Sequence, residues 1–489
     1  MSTAVVEKSS SLGVADDDGS PASSVTGEVA ASQPDATSVT NSSRLYFLDW
    51  IRVVALLTVF IEHFWSQGSD SNITFVTDSL QDAAWLKATF VVIPPLGISV
   101  FFLVSGAASI MSLDKRSPKQ YLRERVLRLL VPFVVGSVLL VPLAGWLYPW
   151  TDFSGSWLEY YPVFFSGVFD GFSGATAPVV AFTIGAWLWL LAFLFAYSII
   201  ALPILRWLRS PSADRFIGFT TRIASHRGGL LLWILPVLLL IIVGQLLSAD
   251  ASSMIMEYTG WGAFLRYFGM FVLGAILIRN REVLTYLRRD WALTAAVLSP
   301  LLVGAYWFLM HLTDSNPWIE NLSDGPFIIA GVLIGIMCWC FAILLMAFGM
   351  RFWNKPSKAL AYSLGIIVAF YVFHQVAINA AWFAYFGRID ATLNNAGQWS
   401  YPVMYQENQF LVGVALFVTA LLLVIAFIEL VIRPIPPLRK LLGVTRERIP
   451  DQYHHQVTEQ EQRAVDQGDS VKSPPERKLV ASGEKTTRI

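Results

Sequence analysis

The chain has 489 residues, 55% of them hydrophobic and only 14% charged, with 18 Trp and 33 Phe. A soluble domain carries about 25% charged residues, so this composition is that of a polytopic membrane protein rather than a soluble globular enzyme. The 35 basic and 35 acidic residues cancel, which argues against a nucleic-acid-binding protein.

Residues 1–43 are rich in Ser, Thr, Ala and Asp and include the acidic run Asp16-Asp17-Asp18. No apolar h-region follows a basic start, so a cleavable signal peptide is not expected there. The stretch reads as a disordered cytoplasmic tail, as does 446–489 with its Gln, Glu and Lys. Neither tail has the length or apolar content expected of an extra soluble domain. Between them, residues 44–445 form an all-α bundle of ten expected transmembrane helices. These lie near 46–65, 89–111, 128–149, 179–205, 229–248, 261–279, 291–312, 326–349, 359–385 and 410–432.

The first span opens Leu48-Asp49-Trp50-Ile51-Arg52 and runs on to Glu62-His63. Ionisable groups in hydrocarbon are costly and usually functional. At about 100° per residue, Asp49, Arg52 and His63 share an arc of about 60°, with His63 about 16 Å beyond Arg52. That face must line a protein interior or a wet cavity. A neutral imidazole accepts a proton near neutrality, as a general base must. The bland alternative is an Asp49–Arg52 pair that neutralises itself, with His63 an interface residue. Glu62, about 100° round from His63, is the poorer orienter.

Ser105-Gly106 in the second span, among aromatics, suits a binding role or plain close helix packing. At the mouth of the third span, Arg125 and Arg128 are three residues apart. Their guanidinium forks suit the phosphates of a cytosolic donor, or simply anchor the helix end beside lipid headgroups. Cys338 and Cys340 lie two apart in an apolar run and point to different sides of a helix, so neither a disulfide nor a metal site is expected.

In the ninth span, Ser363 and His374 repeat the eleven-residue spacing of Arg52 and His63, with Tyr371 between them. Entering from the same side, His374 lies about 22 Å in and His63 about 26 Å in. Two imidazoles at similar depth suggest one shared wet site.

The loops alternate in charge. Lys115 to Arg125, Arg206 to Arg227, Arg279 to Arg289, Arg351 to Lys358 and Arg433 to Arg448 are the basic stretches. The intervening loops hold Lys87 and Arg388 and are otherwise acidic. By the positive-inside rule, ten spans in a plasma (inner) membrane leave both termini in the cytoplasm. No internal repeat is visible, which weakly disfavours a secondary transporter.

An Arg, ten residues and a His in the first span, then Phe101-Phe102 and Ser105-Gly106 in the second, resemble the acyltransferase family 3 membrane proteins. Arg125-x-x-Arg128 before Pro132, the Phe/Gly-rich stretch 264–279 and Ser363 ahead of Tyr371-Val372-Phe373-His374 agree. The opening Phe47 to Arg52 and the closing Leu438 to Gly443 look most like the glucan-modifying, succinyl-transferring branch. Departures are Trp50 where many relatives carry Gly, Ala107 for a common Phe, and Gly185-Ala186-Trp187 where a polar residue or His is usual.

The resemblance implies O-acyl transfer of an acetyl- or succinyl-type group from cytoplasmic acyl-CoA to a hydroxyl of an extracytoplasmic glycan or glycolipid. His63 would be the base. Arg52 with Asp49 would sit inside the mouth, and His374 or Tyr371 at the oxyanion or the acceptor. Arg125, Arg128 and Ser105 would stand on the donor side. Acyl-CoA is then a substrate, with no permanently bound cofactor and no metal, and membrane lipid surrounds the bundle. The composition sets no oligomeric state. A transporter of small organic anions shares the ten spans and buried Arg/His. A non-catalytic scaffold explains neither the twin spacings nor Arg52.

Overall fold

The computed structural model describes residues 44–69, 84–149, 153–170, 177–247, 260–310, 324–387, 392–393, 399–400 and 409–447. The expected N-terminal tail, and the C-terminal one beyond Glu447, lie outside the described residues.

Ten long helices correspond to the expected spans: α1 (Tyr46–Ser69), α2 (Ala84–Asp114), α3 (Pro118–Leu147), α4 (Thr183–Ile200), α5 (Gly229–Leu246), α6 (Trp261–Arg279), α7 (Trp291–Met310), α8 (Asp324–Phe352), α9 (Lys358–Phe386) and α10 (Leu411–Ile432). Among the described residues, α2 to α10 are the nine helices long and apolar enough to cross a membrane. Helix α1 has 24 residues, about 36 Å at 1.5 Å per residue, and is set apart by Asp49, Arg52 and Glu62. It packs against α2, α8 and α9. The chain is a multi-pass helical membrane protein. A two-residue antiparallel pairing of Thr392–Leu393 with Trp399–Ser400 supplies the strands seen among the described residues.

Small residues set the closest contacts. A Cβ on Gly106 of α2 would collide with the Phe271 carbonyl of α6, and one on Gly274 of α6 would collide with the Leu103 carbonyl of α2. Such backbone approach is how membrane helices associate without a hydrophobic driving force between them. Beside this contact, Phe102 stacks on Tyr267 with centroids 4.9 Å apart, and Trp189 and Tyr197 close the aromatic core.

Prolines shape two of the helices. Pro132 lacks an N–H and its ring crowds the carbonyl four residues back, so the preceding turn of α3 widens into a π turn over Val126–Leu130. Ser117 and Gln120 form a capping box that starts the same helix. Pro94 and Pro95 lie inside α2, where the buried Cys338 thiol donates to the Pro95 carbonyl at 3.5 Å.

The basic turns gather at one end of the bundle. Arg209 bonds Asp114 at 2.9 Å, and Arg279 bonds the Leu208 carbonyl at 2.9 Å. Arg289 bonds the carbonyls of Ala224, Ser225 and His226. Trp50, at the start of α1, lies against Trp353 just past α8. Arg433 pairs in two-pronged fashion with Glu429 and bonds the carbonyls of Thr445 and Glu447, while the Thr445 N–H donates to Gly365 near the start of α9.

Candidate active site

The seam on α1 faces inward. Exposed Leu57 and Ile61 (42% and 41%) lie about 120° and 160° round the helix from His63, on the far side. The side chains on the seam keep partial exposure: 25% for Arg52, 19% for Asp49 and 23% for His63. They are neither fully buried nor fully exposed. Arg52 and Asp49 approach to 4.0 Å, one turn apart.

At the other end of the seam the two imidazoles meet. His63 Nδ1 lies 3.1 Å from His374 Nε2, with ring centroids 5.1 Å apart. His374 is buried and its Nδ1 lies 2.6 Å from the Tyr371 carbonyl. A carbonyl only accepts, so Nδ1 carries the proton, and in the neutral ring Nε2 is an acceptor. His63 Nδ1–H must then donate to it. The hydrogen-bond network thereby assigns the remaining lone pair of the His63 ring to Nε2. The Glu62 carboxylate oxygen stands 3.7 Å from this second nitrogen. Phe60 and Phe370 lie against the His374 ring, and Phe417 lies against Phe60.

A strained turn holds α9 in register. Ala186 has φ +44°, outside the range that suits a residue with a Cβ. The 3-10 turn Ala186–Leu188 follows, and Trp187 bridges to α9 twice. Its Nε1 donates to the Val372 carbonyl at 3.2 Å, and its carbonyl accepts the Tyr371 hydroxyl. Tyr371 therefore braces the segment that carries His374. Strain stored beside such a segment is characteristic of functional sites.

The donor-side residues separate. Arg125 donates to Ser109 Oγ at 3.1 Å and lies over the Tyr121 ring, and Ser109 in turn donates to the Ser105 carbonyl at 2.8 Å. Ser105 is thus joined to Arg125 through Ser109. Arg128 is exposed, within the π turn, a feature frequent at functional sites.

One residue escapes the sequence reading. Arg266 is a buried arginine inside α6 that donates to the Tyr267 hydroxyl at 3.1 Å and lies 4.8 Å from that ring's centre; a charge within an apolar span was its signal. Elsewhere, a cavity of about 430 Å³ between α3, α9 and α10 is lined by apolar side chains such as Leu140, Phe373, Ala377 and Phe427. It suits hydrocarbon rather than reacting groups.

The bundle brings two imidazoles from different helices, His63 and His374, together inside a multi-pass membrane protein. The chain belongs to acyltransferase family 3: the model of the family's acyltransferase domain matches residues 45–429. It is an acyltransferase. No curated protein and no solved structure matches the chain.

Proposed function

We propose that the protein moves a short acyl group, of acetyl or succinyl type, from cytoplasmic acyl-CoA to a hydroxyl of an extracytoplasmic glycan or glycolipid. The observation that carries this reading is the inward-facing His63–His374 pair. The basic turns gathered at one end favour a plasma-membrane orientation with both termini in the cytoplasm.

Donor and acceptor enter from opposite ends. The CoA phosphates meet Arg128 and Arg125 at the basic end, where guanidinium forks match phosphate oxygens. Arg52, one turn from Asp49, lies between that mouth and the imidazoles. The thioester points along the seam. The acceptor comes from the acidic end, and its hydroxyl meets His63 Nε2.

An alcohol is a poor nucleophile until its proton is removed in the transition state. His63 Nε2 takes that proton as the acceptor oxygen bonds to the thioester carbon. The C–S bond breaks as the tetrahedral intermediate collapses, CoA leaves as thiolate, and the imidazolium returns the proton to it. The ester and free CoA are the products. His374 fixes the ring and tautomer of His63. Tyr371, whose hydroxyl is given to Trp187, holds His374 in place.

The test is reconstitution of the full chain in proteoliposomes with acyl-CoA outside the basic end and an acceptor glycan on the other side. Acceptor-dependent CoA release is expected. Flux of an organic anion without CoA consumption would replace this reading with the transporter.

A further inference from the structure

The crevice between α3, α9 and α10 has a volume of about 430 Å³, and every side chain lining it is apolar. Three of the lining residues are alanines, Ala377 and Ala380 on α9 and Ala426 on α10, whose short side chains leave the space unfilled. Its rim on α10 is open: Leu423, Phe427 and Leu430 keep 42%, 39% and 75% exposure. All three helices are long and apolar enough to cross a membrane, so this rim meets hydrocarbon rather than water.

A boundary lipid needs no such slot, because lipid tails are as apolar as the side chains they touch and gain no hydrophobic driving force by entering. The place of this one is informative. On α9, Phe373, Val376, Ala377 and Ala380 line it and share an arc of about 100° that begins about 60° round the helix from His374. Phe373 immediately precedes His374, which meets His63 on another face of the same helix. A chain seated along α9 with its head group at Ala380, the end away from the basic turns, brings that head group to about 9 Å along the axis from His374. We propose that the acceptor is a lipid-linked glycan and that this crevice holds the hydrocarbon chain of its anchor. The proposal rests on the acyl-transfer reading, but not on which imidazole is the base. Seating the anchor makes the approach of the sugar hydroxyl an intramolecular event and raises its effective concentration. A water-soluble glycan gains nothing from the crevice.

The test uses the full chain in phosphatidylcholine nanodiscs with radiolabelled acetyl-CoA or succinyl-CoA, offered either the lipid extract or the water-soluble glycans of its host envelope. Label is expected in the lipid-extractable product, and label only in the water-soluble glycans overturns the proposal. Ala380→Leu and Ala426→Leu fill the crevice. Each should lower transfer to the lipid acceptor roughly tenfold, the usual penalty of overfilling a packed site, with thermal unfolding and the KM for acyl-CoA unchanged. Val303→Leu, on the exposed face of α7, is the control expected to keep native rates. Native rates in both filled variants overturn the proposal. Occupancy is read separately with octadecyl glucoside carrying a diazirine in its chain. Labelling should fall on residues 373–380 and 423–431, persist in excess phosphatidylcholine and drop in the filled variants. Displacement by phosphatidylcholine makes the occupant a boundary lipid, and a disulfide-linked pair formed by Ala426→Cys makes it a second copy of the chain; either result overturns the proposal. Absence of acceptor-dependent CoA release from both fractions sinks the acyl-transfer reading instead, and is told apart by labelling that still falls on the crevice.

Discussion

His63 Nδ1 and His374 Nε2, 311 residues apart in the chain, lie 3.1 Å apart across α1 and α9. Only one arrangement of protons satisfies the neutral pair, because His374 Nδ1 is committed to the Tyr371 carbonyl. The consequence is a division of labour. On the proposed function, replacing His63 by Ala removes the base, and turnover should fall by about 10²–10⁴-fold. His374→Ala leaves the base but frees its ring and tautomer, so a smaller loss confined mainly to kcat is expected. Purified variants assayed for CoA release, with insertion checked by monodisperse elution, decide between the two roles. Equal losses in KM alone would contradict both.

Tyr371→Phe separates bracing from chemistry. Its hydroxyl donates to the Trp187 carbonyl inside the bundle, and losing it leaves a buried acceptor unsatisfied, at a cost of about 1–3 kcal/mol. Thermal unfolding in detergent should drop accordingly, while residual kcat stays well above that of His63→Ala. A loss of kcat as deep as that of His63→Ala, with stability unchanged, would return Tyr371 to a direct role in the reaction.

Ala186 offers the reverse experiment. Its φ of +44° strains any residue with a Cβ, by about 1–2 kcal/mol in the left-handed region. Glycine relieves that strain and gives back part of the gain as chain entropy. Ala186→Gly should therefore match or modestly exceed the native stability, whereas Ala186→Val should lose stability and activity together as the Trp187 bridge to α9 shifts. A thermal melt of each variant beside its turnover is the measurement.

Much of this architecture was legible because bilayers demand simple patterns. Apolar length located the helices, and the one helix set apart from the other nine was the one whose charges had marked it out. Similar depth of His63 and His374 follows from counting rises of 1.5 Å, and their contact follows once α1 and α9 pack together. The positive φ of Ala186 and the Ser109 link to Arg125 depend on neighbours from other helices. No local pattern encodes those.

Arg125 and Arg128 are expected to differ in the assay although the sequence presents them as twins. Arg125 is tethered by Ser109 and the Tyr121 ring, whereas Arg128 is exposed on the π turn. Arg128→Ala should raise the KM for acyl-CoA by roughly tenfold, the worth of a hydrogen bond to a charged group, with a marked dependence on salt. Ser109→Ala should produce a weaker rise by loosening Arg125. Initial rates over an acyl-CoA series at low and high ionic strength test this, and an unchanged KM in Arg128→Ala would place donor binding elsewhere.

The contact of α2 with α6 gives the sharpest test of the fold itself. Gly106 rests on the Phe271 carbonyl and Gly274 on the Leu103 carbonyl, so each helix presses a glycine against the other's backbone. Backbone cannot swing aside as a flexible side chain can. Even Gly106→Ala must push the helices apart, and overpacking of this kind costs about 1–3 kcal/mol or more. Since α2 also packs against α1, the displacement reaches the seam that carries Arg52 and His63. Gly304 in α7, where an added Cβ meets nothing within 4 Å, is the matched control: Gly304→Ala should be neutral or gain up to about 1 kcal/mol from helix propensity. Thermal unfolding of the two variants side by side should therefore move in opposite directions, and equal tolerance of both would mean that α2 and α6 do not touch as described.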